Sequence, residues 1–160
     1  MERTILPASV RKTLVVPTNP TAAFDAFAHR MHEWSPQSHS LTGSRTNIII
    51  ESRVGGRWYE TGENGTEADW GKVLAWHPPH RMVLAWQLNA RFSFDPGFVT
   101  EIEIRFEPLG EASTRVEFEH RNLERYGEAA PDVFKSLDGE DGWGGSLQNY
   151  GDLLEGRRVE

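Results

Sequence analysis

His120 is the histidine best placed for chemistry in this 160-residue chain, because it closes an alternating run whose one parity is Thr114, Val116, Phe118 and His120 and whose other is Arg115, Glu117 and Glu119. That parity aims it at the apolar face of a strand. An imidazole there can orient a ligand's polar group or exchange a proton, since its ordinary pKa is about 6.5. It can equally do no more than hydrogen-bond Thr100 or a backbone group. No carboxylate shares its parity nearby to fix a tautomer, so no catalytic residue is assigned.

The other reactive side chains offer less. His29, His32 and Glu33 look like a ligand cluster, yet their spacing puts the histidines on a helix face turned away from the Phe24/Phe27 stripe and toward water. His77 and His80 flank Pro78-Pro79 in a turn. Gly144-Gly145-Ser146 lacks the strand and the following glycine of a nucleophile elbow. There is no phosphate loop, dinucleotide fingerprint or paired-carboxylate motif, and no metal or cofactor is expected. The absence of cysteine removes disulfides, thiolate zinc sites and thiol nucleophiles together.

The elements that must position these groups follow from patterning. Val10 to Val16 reads as a strand, and Thr18-Asn19-Pro20 supplies a capping side chain and a first-turn proline. Phe24, Phe27, Ala28 and Met31 recur at helical spacing, and Trp34-Ser35-Pro36 ends that helix. Six strands are predicted near residues 46–53, 57–62, 69–76, 81–94, 98–108 and 113–120, separated by Gly55-Gly56, Asn64-Gly65, Pro78-Pro79, Asp95-Pro96-Gly97 and Leu109-Gly110-Glu111. Short connections make an antiparallel meander. Residues 121–141 are polar, with room for a short helix. Trp143, Leu147, Tyr150 and Leu154 then mark a last amphipathic helix that needs a sheet to lie on, since Gly144, Gly145 and Gly151 weaken it.

Three-residue loops at 95–97 and 109–111 would set the inward rows as Trp86–Phe106–Thr114, Leu88–Ile104–Val116, Ala90–Ile102–Phe118 and Phe92–Thr100–His120. A two-residue turn at Pro78-Pro79 would put Gly71 beside Trp86 and Val73 beside Leu84. Trp70, Leu74 and Trp76 would then face outward with Val83 and Ala85, an apolar patch suited to a homodimer through the outer sheet face.

Composition bounds the function. A single domain over residues 1–160, with a core from about 10 to 156, can bury roughly two-thirds of its unfolded surface. The net charge of −7, with no clustered Lys or Arg, argues against nucleic acid. No stretch reaches the ~20 apolar residues of a membrane span, and the N-terminus lacks a signal-peptide core, which together with the missing cysteines predicts a cytoplasmic protein.

Several segments in order resemble a known family. Val54-Gly55-Gly56-Arg57-Trp58, then Gly71-Lys72-Val73 through Pro79-His80-Arg81-Met82, then Thr114 to His120 followed by Gly142-Trp143 and the Leu147/Tyr150/Leu154 stripe are similar to the branch of the START and birch-pollen-allergen superfamily (SRPBCC) named after the activator of the heat-shock protein 90 ATPase. The resemblance spans roughly residues 10 to 156. It implies an α+β helix-grip fold, with a curved antiparallel sheet of about seven strands around a long C-terminal helix and a further helix between the first two strands. The chaperone activators it resembles carry an extra N-terminal domain for which this chain has no room.

In such a fold the expected function is binding of a small hydrophobic or aromatic molecule between sheet and C-terminal helix, with Trp34, Trp86, Phe92, Thr100, Ile102, Phe118, His120, Trp143, Leu147 and Tyr150 as candidate ligand-binding residues. Eight Phe, six Trp and three Tyr are too many for a small sheet's wet face, so most must point inward. Two other readings stand beside it. One is a metal-free cyclase or aromatase in the same cavity, and the other is a protein-interaction or chaperone-cofactor module.

Overall fold

The computed structural model describes residues 8–157 and Val159. Seven strands, β1 (Val10–Val16), β2 (Arg45–Ile50), β3 (Arg57–Gly62), β4 (Glu67–His77), β5 (Arg81–Trp86), β6 (Thr100–Gly110) and β7 (Ser113–Arg121), form one antiparallel sheet in the order β1-β7-β6-β5-β4-β3-β2. The meander brings β7 back beside β1. Between β1 and β2 lie α1 (Pro20–His29) and a single turn, α2 (Met31–Trp34). After β7 come 3-10 turns over Leu123–Ala129, then α3 (Ala130–Asp138) and the closing helix α4 (Trp143–Leu154). This is the expected helix-grip arrangement.

Local chemistry accounts for the N-terminal helices. The Asn19 side chain accepts from the Ala22 amide at 2.8 Å, and Pro20 occupies the first turn, where its missing N–H costs nothing. Arg30 leaves helical geometry and separates α1 from α2. The Trp34 indole then donates back to the Ala26 carbonyl at 3.0 Å, which locks the two helices together. Phe24, Phe27, Ala28 and Met31 are all buried, as their spacing predicts.

The inward parity of the central strands is as predicted: Met82, Leu84, Ile102, Ile104, Phe106, Val116 and Phe118 are buried. Two registers differ. β5 ends at Trp86, which pairs with Thr100 rather than Phe106, and Ile102 rather than Thr100 stands opposite His120. Both shifts are by an even number of residues, so every side chain keeps its face. The cause of the first lies in residues 87–99, where the Asn89 side chain accepts from the amides of Arg91 and Ser93 and Phe92 takes a left-handed backbone with φ 56°. The alternation Leu88–Ala90–Phe92–Phe94 therefore folds into a loop, leaving Phe92 42% and Phe94 38% exposed. The second comes from an irregularity between Pro108 and Gly110, which moves the turn.

The predicted outward patch is also corrected. Gly71 pairs with Trp86 and Val73 with Leu84 as expected, but β4 bulges twice. Trp70 is the extra residue opposite Trp58 and Tyr59, and it swings inward. Gly71 permits this, since a Cβ there would lie 1.7 Å from the Ala85 carbonyl oxygen. The second bulge, at Leu74, turns Trp76 inward onto Phe24, with ring centroids 5.0 Å apart. Trp70 and Trp76 thus leave the face on which self-association was expected. Val83 and Ala85 keep outward parity, yet are nearly inaccessible and flanked by ion pairs that join Glu103 to Arg81, Arg105 and Arg121.

Helix α4 is anchored by its predicted stripe. Trp143, Leu147 and Tyr150 are buried, and the Tyr150 hydroxyl donates to the Ala23 carbonyl at 2.6 Å. Gly144 and Gly145, which weaken this helix, have a steric reason, as does Gly142 just before it. A Cβ on Gly145 would approach the Glu140 carbonyl to 1.9 Å, and one on Gly142 would approach two carbonyls of α3 to 2.4 Å. No helix among the described residues is long and apolar enough to cross a membrane.

Candidate functional site: an indole-walled cavity

A cavity of about 380 Å³ opens between the start of α4, the end of α3, strands β4 and β5 and the loop that follows α2. Its apolar wall is made by the indoles of Trp34, Trp70, Trp86 and Trp143 with Met31 and Leu88. Trp86 links Trp70 and Trp143, lying 6.4 Å and 5.7 Å from them between ring centroids. Its indole N–H is taken by the Tyr126 hydroxyl at 2.9 Å, which in turn donates to the Leu88 carbonyl. Burial pushes the Tyr126 pKa up to about 12, so this link stays neutral. The mouth is polar, with Ser38, His39, Ser40, Ser136 and Asp141.

The loop forming that mouth has no regular structure, yet two buried charges hold it. Arg45 donates to the carbonyls of Ser35 (2.8 Å), Pro36 (2.9 Å) and His39 (2.6 Å). Glu60 is fully buried and accepts from the amides of Leu41 and Thr42, the hydroxyls of Ser40 and Thr42, and the Trp70 indole. Burial pushes the Glu60 carboxyl up, but these donors outweigh it and leave its pKa below the ordinary value. Burial lowers that of Arg45.

His120 lies behind the cavity wall, with its partners fully specified. The Trp143 indole can only donate, so at 3.1 Å it must give its proton to His120 Nδ1. The Nε2–H then donates to Thr100 Oγ1 at 2.7 Å, and that hydroxyl donates to the Trp86 carbonyl. The ring is neutral, satisfied and without solvent access, and burial lowers its pKa to about 3. What it does here is orient Trp143.

Of the predicted residues, Trp34, Trp86, Phe92 and Trp143 line the cavity, while Thr100, Ile102, Phe118, His120, Leu147 and Tyr150 sit in the packed interior beyond it. Sequence reading missed the loop 35–41, Trp70, Leu88 and the carbonyl-rich junction before α4. A loop has no period, so the only available signal was the serine-rich run around His39. His29 bridges Asp25 and Ser52, each at 2.8 Å, and neither it nor His32 lines this cavity. That series has the order of a carboxylate–imidazole–hydroxyl relay but stands open to water. No cluster of three or more His, Asp or Glu able to hold a metal occurs among the described residues.

The family model described as Activator of Hsp90 ATPase homolog 1-like protein matches residues 17–155. The chain belongs to this family. A solved anthrahydroquino-gamma-pyrone synthase, Txn09, complexed with SUM, is 37% identical over 92% of this chain and 97% of its own, with a TM-score of 0.66. The self-sacrificing resistance protein CalC from Micromonospora echinospora is 29% identical over 92% and 94%, with a TM-score of 0.67. An Hsp90 activator from Plasmodium falciparum is 20% identical over 92% and 96%, with a TM-score of 0.62, and shares the fold. No curated protein sequence matches the chain.

Proposed function

We propose that this member of the Hsp90-activator-like family is a cytoplasmic protein that takes a planar aromatic molecule of polyketide type into its cavity. The observation that carries this is the cavity itself, whose volume falls within the range of small-molecule sites and whose wall is four indoles behind a polar mouth. Covering about 200 Å² of such a ligand at roughly 25 cal/mol per Å² contributes on the order of 5 kcal/mol, and polar contacts at the mouth bring binding to the micromolar range. The 37% identity to a synthase of aromatic pyrones supports the same ligand class.

The test is titration with 1,8-dihydroxyanthraquinone, read by quenching of indole fluorescence. Saturable binding is expected in the native chain and its loss in Leu41→Trp, which fills the cavity from the loop. A native chain that shows no saturable quenching overturns the proposal.

A second reading is that the cavity closes a ring without a metal. It is favoured by the same relative and by an imidazole at the mouth. The chaperone-cofactor reading has less behind it, since the Plasmodium relative shares the fold alone.

A further inference from the structure

We propose that His39 is the acid/base group of this cavity and that its substrate class is a phenol bearing a 1,3-diketone, which it closes to a γ-pyrone. This rests on the cavity being a ligand site and, for the substrate class, on the 37% identity to a pyrone synthase, and it assigns the chemistry to a residue outside the apolar core.

Three observations converge on His39. The first is its tautomer. Its Nε2 lies 2.7 Å from the Asp141 backbone carbonyl, which can only accept, so Nε2 carries the hydrogen and Nδ1 of the neutral ring keeps its lone pair. The second is its place, half-buried at the mouth of a cavity whose wall suits an aromatic ring. The third is the support of its backbone. Between Ser35 and Ser44, His39 is the one titratable side chain. Arg45 holds the carbonyls on its N-terminal side, including that of His39 itself, while Glu60 holds the groups of residues 40–42 that follow. Burying two charges is costly unless their hydrogen bonds are well made, and here those bonds go largely to one short loop.

The reaction balances without an oxidant. Nδ1 takes the phenol proton as the phenol oxygen bonds to the distal ketone carbon, the C=O π pair moves to oxygen, and the imidazolium returns the proton to give a cyclic hemiketal. Nδ1 then removes a proton from the carbon between the carbonyls and delivers it to the departing hydroxyl. One water leaves, and a ring C=C forms. The charged groups packed around His39 are Arg45 and Glu60 beneath the loop and the Asp141 carboxylate on the α4 side.

The probe is 1-(2-hydroxyphenyl)-3-phenylpropane-1,3-dione, whose cyclodehydration gives flavone and is followed by absorbance, with binding measured separately by indole quenching. The native chain is expected to bind it and accelerate flavone formation. His39→Gln, which retains an N–H for the Asp141 carbonyl, is expected to bind within threefold and to lose roughly 10²–10⁴-fold in rate. His39→Ala is expected to regain rate with added imidazole. Binding without acceleration in the native chain overturns the role of His39 and leaves the cavity reading standing, as does a His39→Gln rate within threefold of native. No binding at all overturns both.

Discussion

His120 shows how one side chain can look reactive in sequence and be inert in place. With Nδ1 accepting from Trp143 and Nε2–H donating to Thr100, a second ring proton would face the indole N–H and break the link. Burial thus holds the folded-state pKa at about 3, against an ordinary 6.5. Between those values the unfolded chain binds the proton that the folded chain refuses. The contribution to stability is therefore complete above pH 6.5 and is lost progressively as the pH falls toward 3, a total on the order of 5 kcal/mol. Urea unfolding from pH 8 to pH 4 should show this decline, and His120→Gln, which cannot titrate, should make it shallower above pH 4.5, leaving the part that His32, lowered by burial and by Arg45, contributes in the same window. Glu103, held at about pH 2 against burial by Arg81, Arg121 and Arg105, acts only below 4.5 and does not obscure that window. Identical slopes in the two proteins would rule out His120 as the cause.

At the scale of elements, strands and helices carry the fold and an irregular loop carries the site. The loop 35–42 keeps one shape because Glu60 fills its turn with acceptor oxygens. Glu60→Gln turns one oxygen into an N–H donor among donors, and each buried polar group so stranded costs about 1–3 kcal/mol. The expected outcome is faster hydrogen exchange at the Leu41 and Thr42 amides, with β5, β6 and β7 unchanged. Unaltered exchange at Leu41 would show that the loop holds itself. The bulges in β4 have a comparable effect, because each inserts one residue and so moves a tryptophan from the outer face to the inner one.

For the molecule as a whole, the cavity is lined by the start of α4, by Trp70 and Trp86 of the sheet and by the loop after α2, so a ligand seated there touches all three and favours the folded state. At a hundredfold excess over Kd, the proposed anthraquinone should add about 2.7 kcal/mol to stability. For a domain of this size that raises Tm by roughly 5–10 °C. Differential scanning fluorimetry should show the rise in the native chain and not in Leu41→Trp. A melting temperature that ignores a ligand bound by quenching would show that the unfolded chain binds it as well, so that the binding does not need this cavity.

The sequence by itself determined the element order, the capped first helix at Asn19-Pro20, the inward face of the central strands and the aromatic interior, because periodicity and turn residues are local and each side chain's face depends only on its parity. It also carried the family resemblance. Tertiary structure alone decided the pairing of Trp86 with Thr100, the inward turn of Trp70 and Trp76, and which aromatics border open space. Those depend on loop lengths, which shift register while each side chain keeps its face, and on the bulges at Trp70 and Leu74, which break the alternation without a mark in the sequence. His39 was invisible for a related reason: its position is fixed by Arg45, Glu60 and the Asp141 carbonyl, partners that only the folded chain brings together.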